Sequence, residues 1–303
     1  MKPKMAVETS NSNQAAGRSR GGKLYVVGTP IGNLADITFR AVETLKQVDV
    51  IACEDTRRTQ RLLDHYGIAT PTLSYHQHNE MTRAPELILR LEEGNQIALV
   101  SDAGMPIVSD PGYRLVKLAI RHNFPVVPVP GPCAFVAALS AAGLPVDRFH
   151  FAGFLPVKSV ARQKALRGLK EVPGTQVFYE APHRILEMLE DVEKVLANRP
   201  VVLAREVTKI HEEFLKGTAA ELAARLAAKN IKGEFTVLVG PRDPAHDTVA
   251  EVTSAASIRG EVERLKRERS LDDHAALKVV ARAMGISKSE AYRRWQAEKE
   301  MQE

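Results

Sequence analysis

The sequence has little cysteine: Cys53 and Cys133 are the only two in 303 residues. They are too few for a disulfide framework and fit no pattern of closely spaced metal ligands, which points to a reducing cytoplasm and no resident metal. Long apolar runs are missing as well. The first 22 residues, MKPKMAVETSNSNQAAGRSRGG, lack the continuous apolar core of a signal peptide and read as a disordered tail. One stretch, Asn123 to Val146, carries no charged side chain, but Pro125, Pro128, Pro130, Gly131, Pro132 and Pro145 break any single helix in it. A membrane span is therefore rejected in favour of a buried strand, a turn and a short buried helix. A strong excess of one charge is absent: the net charge is +5, and it is terminal. Residues 1 to 23 carry five basic and one acidic side chain, residues 259 to 303 eleven and nine, and the body between them 26 and 27. Basic ends on a near-neutral body suit a polyanionic partner, although solvated tails are often basic.

What is present is ordinary globular material, 44% hydrophobic and 26% charged, which excludes wholesale disorder, collagen-like structure and coiled coil. Apolar runs recur at 24 to 28, 48 to 53, 96 to 101, 125 to 130, 175 to 180, 201 to 205 and 235 to 240. Short and continuous, they have the look of strands buried on both faces. Helical periodicity fills the gaps, as at 83 to 94, 184 to 197 and 219 to 230, so the fold class is α/β. The expected layout is a tail (1 to 22), an N-terminal α/β domain (23 to 143), a C-terminal α/β domain (144 to 242), a linker (243 to 257) and a helical segment (258 to 303). That last segment has Gly285 as a helix stop and Ser287 as an N-cap, the outline of a helix-turn-helix; a bundle that simply packs on protein has the same outline.

Open α/β sheets bind ligands in the loops at the carboxyl edge. The first such loop, GTPIGNLADIT (28 to 38), lacks the G-x-G-x-x-G spacing of a dinucleotide site, and GRSRGGKL (17 to 24) has Leu24 where a Walker motif needs Ser or Thr. CEDTRRT (53 to 59) sets Glu54, Asp55, Arg57 and Arg58 directly after a strand; capping of the next helix by Glu54 or Asp55 explains the acids equally well. In SYHQHNE (74 to 80), the i, i+2 spacing of His76 and His78 puts both on one side if the segment is extended. SDAGMPIVSDPG (101 to 112) is the most informative loop. Two Ser-Asp pairs, two glycines and two prolines expose main chain and supply carboxylates for a ribose diol or an ammonium. Another Gly/Pro turn follows in VPGPCAF (129 to 135), and together these loops suit an uncharged or cationic ligand such as an adenosine.

In order along the chain, VGTPIGNLADIT, CEDTRRT, SYHQHNE, LVSDAGMPIVSDPGYRLV, VPGPCAFVAALSAAGLP, FAGFLP, FYEAPHRI, AREVTKIHEEF and GEFTVLVG closely resemble the ribosomal RNA small-subunit methyltransferase I family. That family lies within the tetrapyrrole-methylase superfamily, and the resemblance runs from about Leu24 to Gly240. It implies two α/β domains with S-adenosyl-L-methionine in the cleft between them, a homodimer, and 2′-O-methylation of a cytidine ribose in small-subunit ribosomal RNA. The cofactor loop it implies is Asp102, Ala103, Gly104, Met105 and Pro106. Further cofactor contacts would come from Pro30, from Pro132, Cys133 and Ala134, and from Tyr179, Gly233, Glu234, Phe235 and Thr236. The partner would be ribosomal RNA or the assembled subunit.

Methyl transfer to a hydroxyl is an in-line displacement, which needs positioning and a route for one proton. Glu54, Asp55, His76, His78, Glu180 and His183 are the candidate bases, and sequence does not choose among them. Arg57, Arg58, Arg184 and Arg205 are candidate phosphate contacts, with salt bridging as the alternative. Deleting 259 to 303 is expected to weaken RNA binding more than cofactor binding. Two rival readings are methylation of a small tetrapyrrole and a non-catalytic nucleic-acid-binding protein; the crowded polar loops argue against the latter, and the detailed motifs and basic ends against the former.

Overall fold

The computed structural model describes residues 21–227, 230–241, 257–269 and 271–300; most of the expected tail and linker lie outside them. The chain divides into two compact units. One takes in the chain up to Pro30 and Leu34–Pro132, the other Ile31–Asn33 and everything from Cys133 onward.

The first unit runs β1 (Lys23–Val27), α1 (Phe39–Gln47), β2 (Val50–Cys53), α2 (Thr56–His65), β3 (Thr72–Ser74), α3 (Glu80–Glu92), β4 (Gln96–Leu99), α4 (Tyr113–Arg121) and β5 (Val126–Val129). Its strands form one parallel sheet in the order β3-β2-β4-β1-β5. Strand side chains alternate between two cores. Leu24, Val50, Ala52, Ile97 and Leu99 pack with Leu87, Ile88, Leu91 and Leu115 of α3 and α4, while Val27, Ile51, Cys53 and Ala98 pack with Ala41, Leu45 and Leu63 of α1 and α2. Helices on both faces are why these strands read as unbroken apolar runs. The edge strand β5 departs from that expectation: Pro128 is exposed, and only an edge position tolerates a residue with no N–H to donate. Because every strand points the same way, all the strand-to-helix loops gather at one edge.

The second unit contains α5 (Ala134–Ala142), β6 (Phe149–Phe154), α6 (Ser159–Leu169), β7 (Thr175–Glu180), α7 (Ile185–Leu196), β8 (Val201–Arg205), β9 (Glu213–Gly217), α8 (Ala219–Ala227) and β10 (Phe235–Val239). Its sheet, ordered β6-β7-β10-β8-β9, is mixed: only β6 and β7 are parallel. The division of the chain falls at Pro132, ahead of the loop at 141 to 156 where a boundary was expected. The reason is packing. Ala138, Leu139 and Ala142 of α5 bury themselves against Val177, Val202, Ala204 and Leu238 of the second sheet. On the opposite face, the guanidinium of Arg162, 1% exposed, donates to Asp191 at 2.7 Å and locks α6 to α7.

The helical segment is three helices, α9 (Ile258–Arg269), α10 (Asp273–Ala283) and α11 (Lys288–Glu300), around Val262, Leu265, Leu277, Val280, Ala291 and Trp295. Asp272 caps α10 by accepting from Ala275 N, Gly285 turns the chain at φ 64°, and Ser287 Oγ accepts from Glu290 N. The stop and the cap expected from the sequence both occur.

Candidate active site

In the first unit, the loops after β1 and β4 are stitched together by main chain. Thr29 N donates to Gly104 O at 2.9 Å and Gly104 N donates back to Thr29 O at 3.0 Å. The Thr29 hydroxyl donates to Ser101 O, and that of Ser101 to Gly104 O. The turn after β5 closes on the same place: a Cβ on Gly131 would lie 2.9 Å from the Gly28 backbone, and one on Gly28 would lie 2.7 Å from Gly131 Cα and from Met105 Sδ. Two glycines in backbone contact bring the three loops to a spacing that no side chain permits. Asp102 binds the β2 loop to them, since its Oδ1 accepts from Asp55 N at 3.0 Å and its Oδ2 pairs with Arg58 at 3.2 Å.

Backbone strain marks this loop. Ile107 has φ 77° and Ser109 φ 66°. A β-branched residue in the left-handed region costs on the order of 1–3 kcal/mol and persists only where its surroundings dictate it. Here Gly112, at φ 135°, packs so closely that a Cβ would sit 2.9 Å from Ile107 Cγ1.

In the second unit, Tyr179 and Thr236 face each other across β7 and β10, and the Tyr179 hydroxyl accepts from Phe135 N at 3.2 Å. Phe151 and Phe154 pack edge-on or tilted against the same ring. Phe235 and Glu180 pair on the other face of those strands. Phe235 joins the hydrophobic core there, and its neighbour Arg205 lies over its ring. At the strand ends, Glu206 Oε1 accepts from Glu234 N at 3.0 Å and from Lys209 Nζ at 2.9 Å. A Cβ on Gly233 would strike Glu206 Cγ at 2.5 Å. Glu206 and Thr208 have positive φ, 51° and 69°.

Residues 23–223 match the family model of the tetrapyrrole (corrin/porphyrin) methylases. Among similar proteins, a ribosomal RNA small subunit methyltransferase I of Micromonospora olivasterospora is 47% identical over 268 residues, 86% of this chain and 86% of its own. Another so named, of Escherichia coli O157:H7, is 46% identical over 285 residues, 93% of this chain and 96% of its own. The chain belongs to the ribosomal RNA small subunit methyltransferase I family. Its fold is also that of a uroporphyrin-III-C-methyltransferase from Thermus thermophilus, with a TM-score of 0.53 at 21% identity over 73% of this chain and 94% of the other.

Within this methyltransferase the expected residues sort into different positions. Asp55 caps α2: its side chain accepts from Arg57 N, and from Arg57 Nε and Nη2 at 3.1 and 2.9 Å. The Arg57 hydrogen bonds hold that carboxyl down at about 2, so Asp55 is an ionised cap and no proton acceptor near neutrality. Glu54, half-buried beside it, is pushed the other way, first by burial and then by the Asp102 charge, while His76 and Arg58 pull it back. The segment after β3 is a turn rather than extended, with His76 O accepting from Asn79 N and Glu80 N, yet the His76 and His78 rings still lie 5.9 Å apart edge to face. Glu180 is 2% exposed, its Oε1 accepting from Ala181 N and its Oε2 paired with Arg184. Arg184 in turn donates to Leu155 O and Pro156 O, a structural post that leaves no phosphate role, and Arg205 is held by Lys232 O and Glu213. His183 is exposed. Among the described residues no group of three His, Cys, Asp or Glu is arranged to hold a metal, and no helix is long and apolar enough to cross a membrane.

Asp110 went unassigned in the sequence. Burial, then the Glu54 charge, lifts its carboxyl to about 6, with Ser101 hydrogen bonding in opposition and Asp102 adding to the rise. The signal was the second Ser-Asp pair of the loop, whose acid could have been matched to the first.

Proposed function

We propose that this methyltransferase transfers the methyl group of S-adenosyl-L-methionine to the 2′-oxygen of a cytidine ribose in small-subunit ribosomal RNA, in the cytoplasm and as a homodimer. The observation that carries the reading is the identity of 46% spread over 93% of the chain with a relative named for that RNA. The loop chemistry agrees with the cofactor. Ala103 is exposed, Gly104 at φ 83° makes the turn with its own N–H and C=O held by Thr29, the Gly28–Gly131 contact keeps the neighbouring loops free of side chains, and Met105 and Pro106 supply low polarity. S-adenosyl-L-methionine brings a sulfonium-activated methyl group, whose charge is lost on transfer.

The chain's own residues have three tasks. Residues 102–106 and the turn at Pro132, Cys133 and Ala134 orient the cofactor through main chain, and Pro30, Tyr179, Gly233, Glu234 and Thr236 are the further contacts; Phe235 contributes through its backbone, because its side chain is core. Asp102 fixes CEDTRRT relative to that loop, so Arg57 and Arg58, 87% and 67% exposed, are available to meet phosphate. Glu54, with His76 near enough to pull its ionisation down, takes the hydroxyl proton.

The test is incubation of unmodified small subunits, or their RNA, with methyl-labelled cofactor, followed by nucleoside analysis. Label on ribose is expected, in a nucleoside that resists alkaline cleavage on its 3′ side because the 2′-oxygen is no longer a free nucleophile. Label on a base, or on a tetrapyrrole and never on ribose, overturns the reading.

A further inference from the structure

We propose that the groove between α10 and α11 docks an unpaired nucleotide of single-stranded RNA, its base stacking on Tyr292 and its flanking phosphates meeting Lys288 and Arg293. This rests on RNA being the substrate. The groove holds about 450 Å³ and is lined by His274 and Leu277 of α10 and Lys288, Ser289, Tyr292 and Arg293 of α11. That volume lies within the range of small-ligand sites and admits one nucleobase with its sugar.

Three observations select the occupant. First, the ring is exposed and also held. Tyr292 is 44% exposed, whereas Trp295, one turn on, is 8% exposed; the two rings lie 6.0 Å apart, and the Tyr292 hydroxyl accepts from Gln296 Nε2 at 2.9 Å. A braced aromatic face open to solvent is a stacking platform that loses little entropy on binding. Second, the lining contains no carboxylate, and its basic groups are His274, Lys288 and Arg293. Lys288 stands one turn before Tyr292 and Arg293 directly after it, which places a cation on either side of the ring. Along α10, exposed His274, Lys278 and Arg282 follow at i, i+4 and i+8 and extend the basic track on one face. Third, the acids next to the lining residues are already paired, Glu290 with Arg294 at 2.8 Å and Arg293 at 2.7 Å, and Asp273 with Lys266 at 2.7 Å. Arg293 is 76% exposed in that pair, and surface pairs of this kind are worth ~0–1 kcal/mol, so a phosphate competes for it readily. Duplex RNA does not satisfy the ring, because its bases are stacked in a helix whose major groove excludes side chains.

Fluorescence anisotropy of the full-length protein with an unstructured single-stranded RNA oligonucleotide tests this, alongside methyl transfer to ribosomal RNA. Tyr292→Ala should weaken binding roughly 5- to 150-fold, the range for loss of one base–aromatic stack of about 1–3 kcal/mol, without changing the salt dependence. Tyr292→Phe should bind within about twofold of the parent, since the ring that stacks remains. Tyr292→Leu, which keeps an apolar filler against Trp295, should lose affinity as the alanine variant does, which separates stacking from folding of the bundle. Replacing Lys288 and Arg293 together by Gln should lower the slope of log affinity against log salt by about 1.4, two contacts at about 0.7 each. Unchanged affinity in Tyr292→Leu, or equal affinity for duplex and single strand, overturns the groove assignment. If the parent protein labels no RNA at all, it is the substrate reading that falls.

Discussion

Replacing Asp110 by Asn is expected to stabilise this methyltransferase at neutral pH while impairing it. The carboxyl of Asp110 is half-buried, faces Ser101, and lies within the field of Glu54 and Asp102; burial is the main cause of its rise to about 6 from the ordinary 3.8. At 1.36 kcal/mol per pH unit the difference corresponds to about 3 kcal/mol, and solvent reaching a half-buried group screens this to about 1–2 kcal/mol. The sign follows from proton counts. Between pH 3.8 and about 6 the folded state holds a proton that the unfolded chain has released, so this group's contribution to stability is present at low pH and lost as pH rises through that window. Asn keeps the shape and the capacity to bond Ser101 but never ionises. The stability gap between Asp110→Asn and the parent should therefore open from near zero in acid to its full value at pH 7 and stay flat above. Urea titrations across that range measure it. A gap that is constant with pH would refute the argument, because it would mean that loop geometry and not charge sets the cost. Glu54→Gln should give a smaller gain, and the double variant less than the sum, since each removes part of the same repulsion. Lower methyl transfer despite higher stability would fit an active site that holds its carboxylates at a cost.

Three further outcomes are expected. Gly131→Ala should lower cofactor affinity and destabilise the first unit by about 1–3 kcal/mol, because its Cβ meets Gly28 backbone at 2.9 Å with no flexible side chain to yield; calorimetry and thermal melts that match the parent would count against it. Asp102→Ala should weaken binding of S-adenosyl-L-methionine in calorimetry, and unchanged affinity in the folded variant removes Asp102 from the site. Arg57→Ala should reduce turnover with RNA more than cofactor affinity, and a loss confined to cofactor affinity would place the β2 loop on the wrong ligand.

The first unit was legible because a parallel sheet with helices on both faces leaves an unmistakable trace: continuous runs such as QIAL, each followed by a loop dense in Gly, Pro and acid. The missing strands lack that trace for physical reasons. β3 has three half-buried residues, β6 and β9 lie on sheet edges, and β9 reads EFLKG with polar residues at its solvent positions. The candidate site was legible as a set of loops at one sheet edge but not atom by atom. SDAGMPIVSDPG announced exposed main chain and carboxylates, yet which acid ionises depends on contacts between loops far apart in the chain. Asp55 and Asp110 are the same residue type at the same sheet edge. One has its charge satisfied by a helix N-terminus and Arg57, the other is buried among like charges, and they stand near 2 and 6. Such a split is what sorts an acid–base pair from a structural cap. The difference arises first from burial of Asp110 and from the Arg57 hydrogen bonds to Asp55; Asp102 adds to it, because its two oxygens bind the β2 loop that carries Glu54 to the β4 loop that carries Asp110. Glu54 on the β2 loop and Asp110 on the β4 loop thus form one electrostatic unit, in which loss of the Glu54 charge lowers the Asp110 carboxyl back toward its ordinary value.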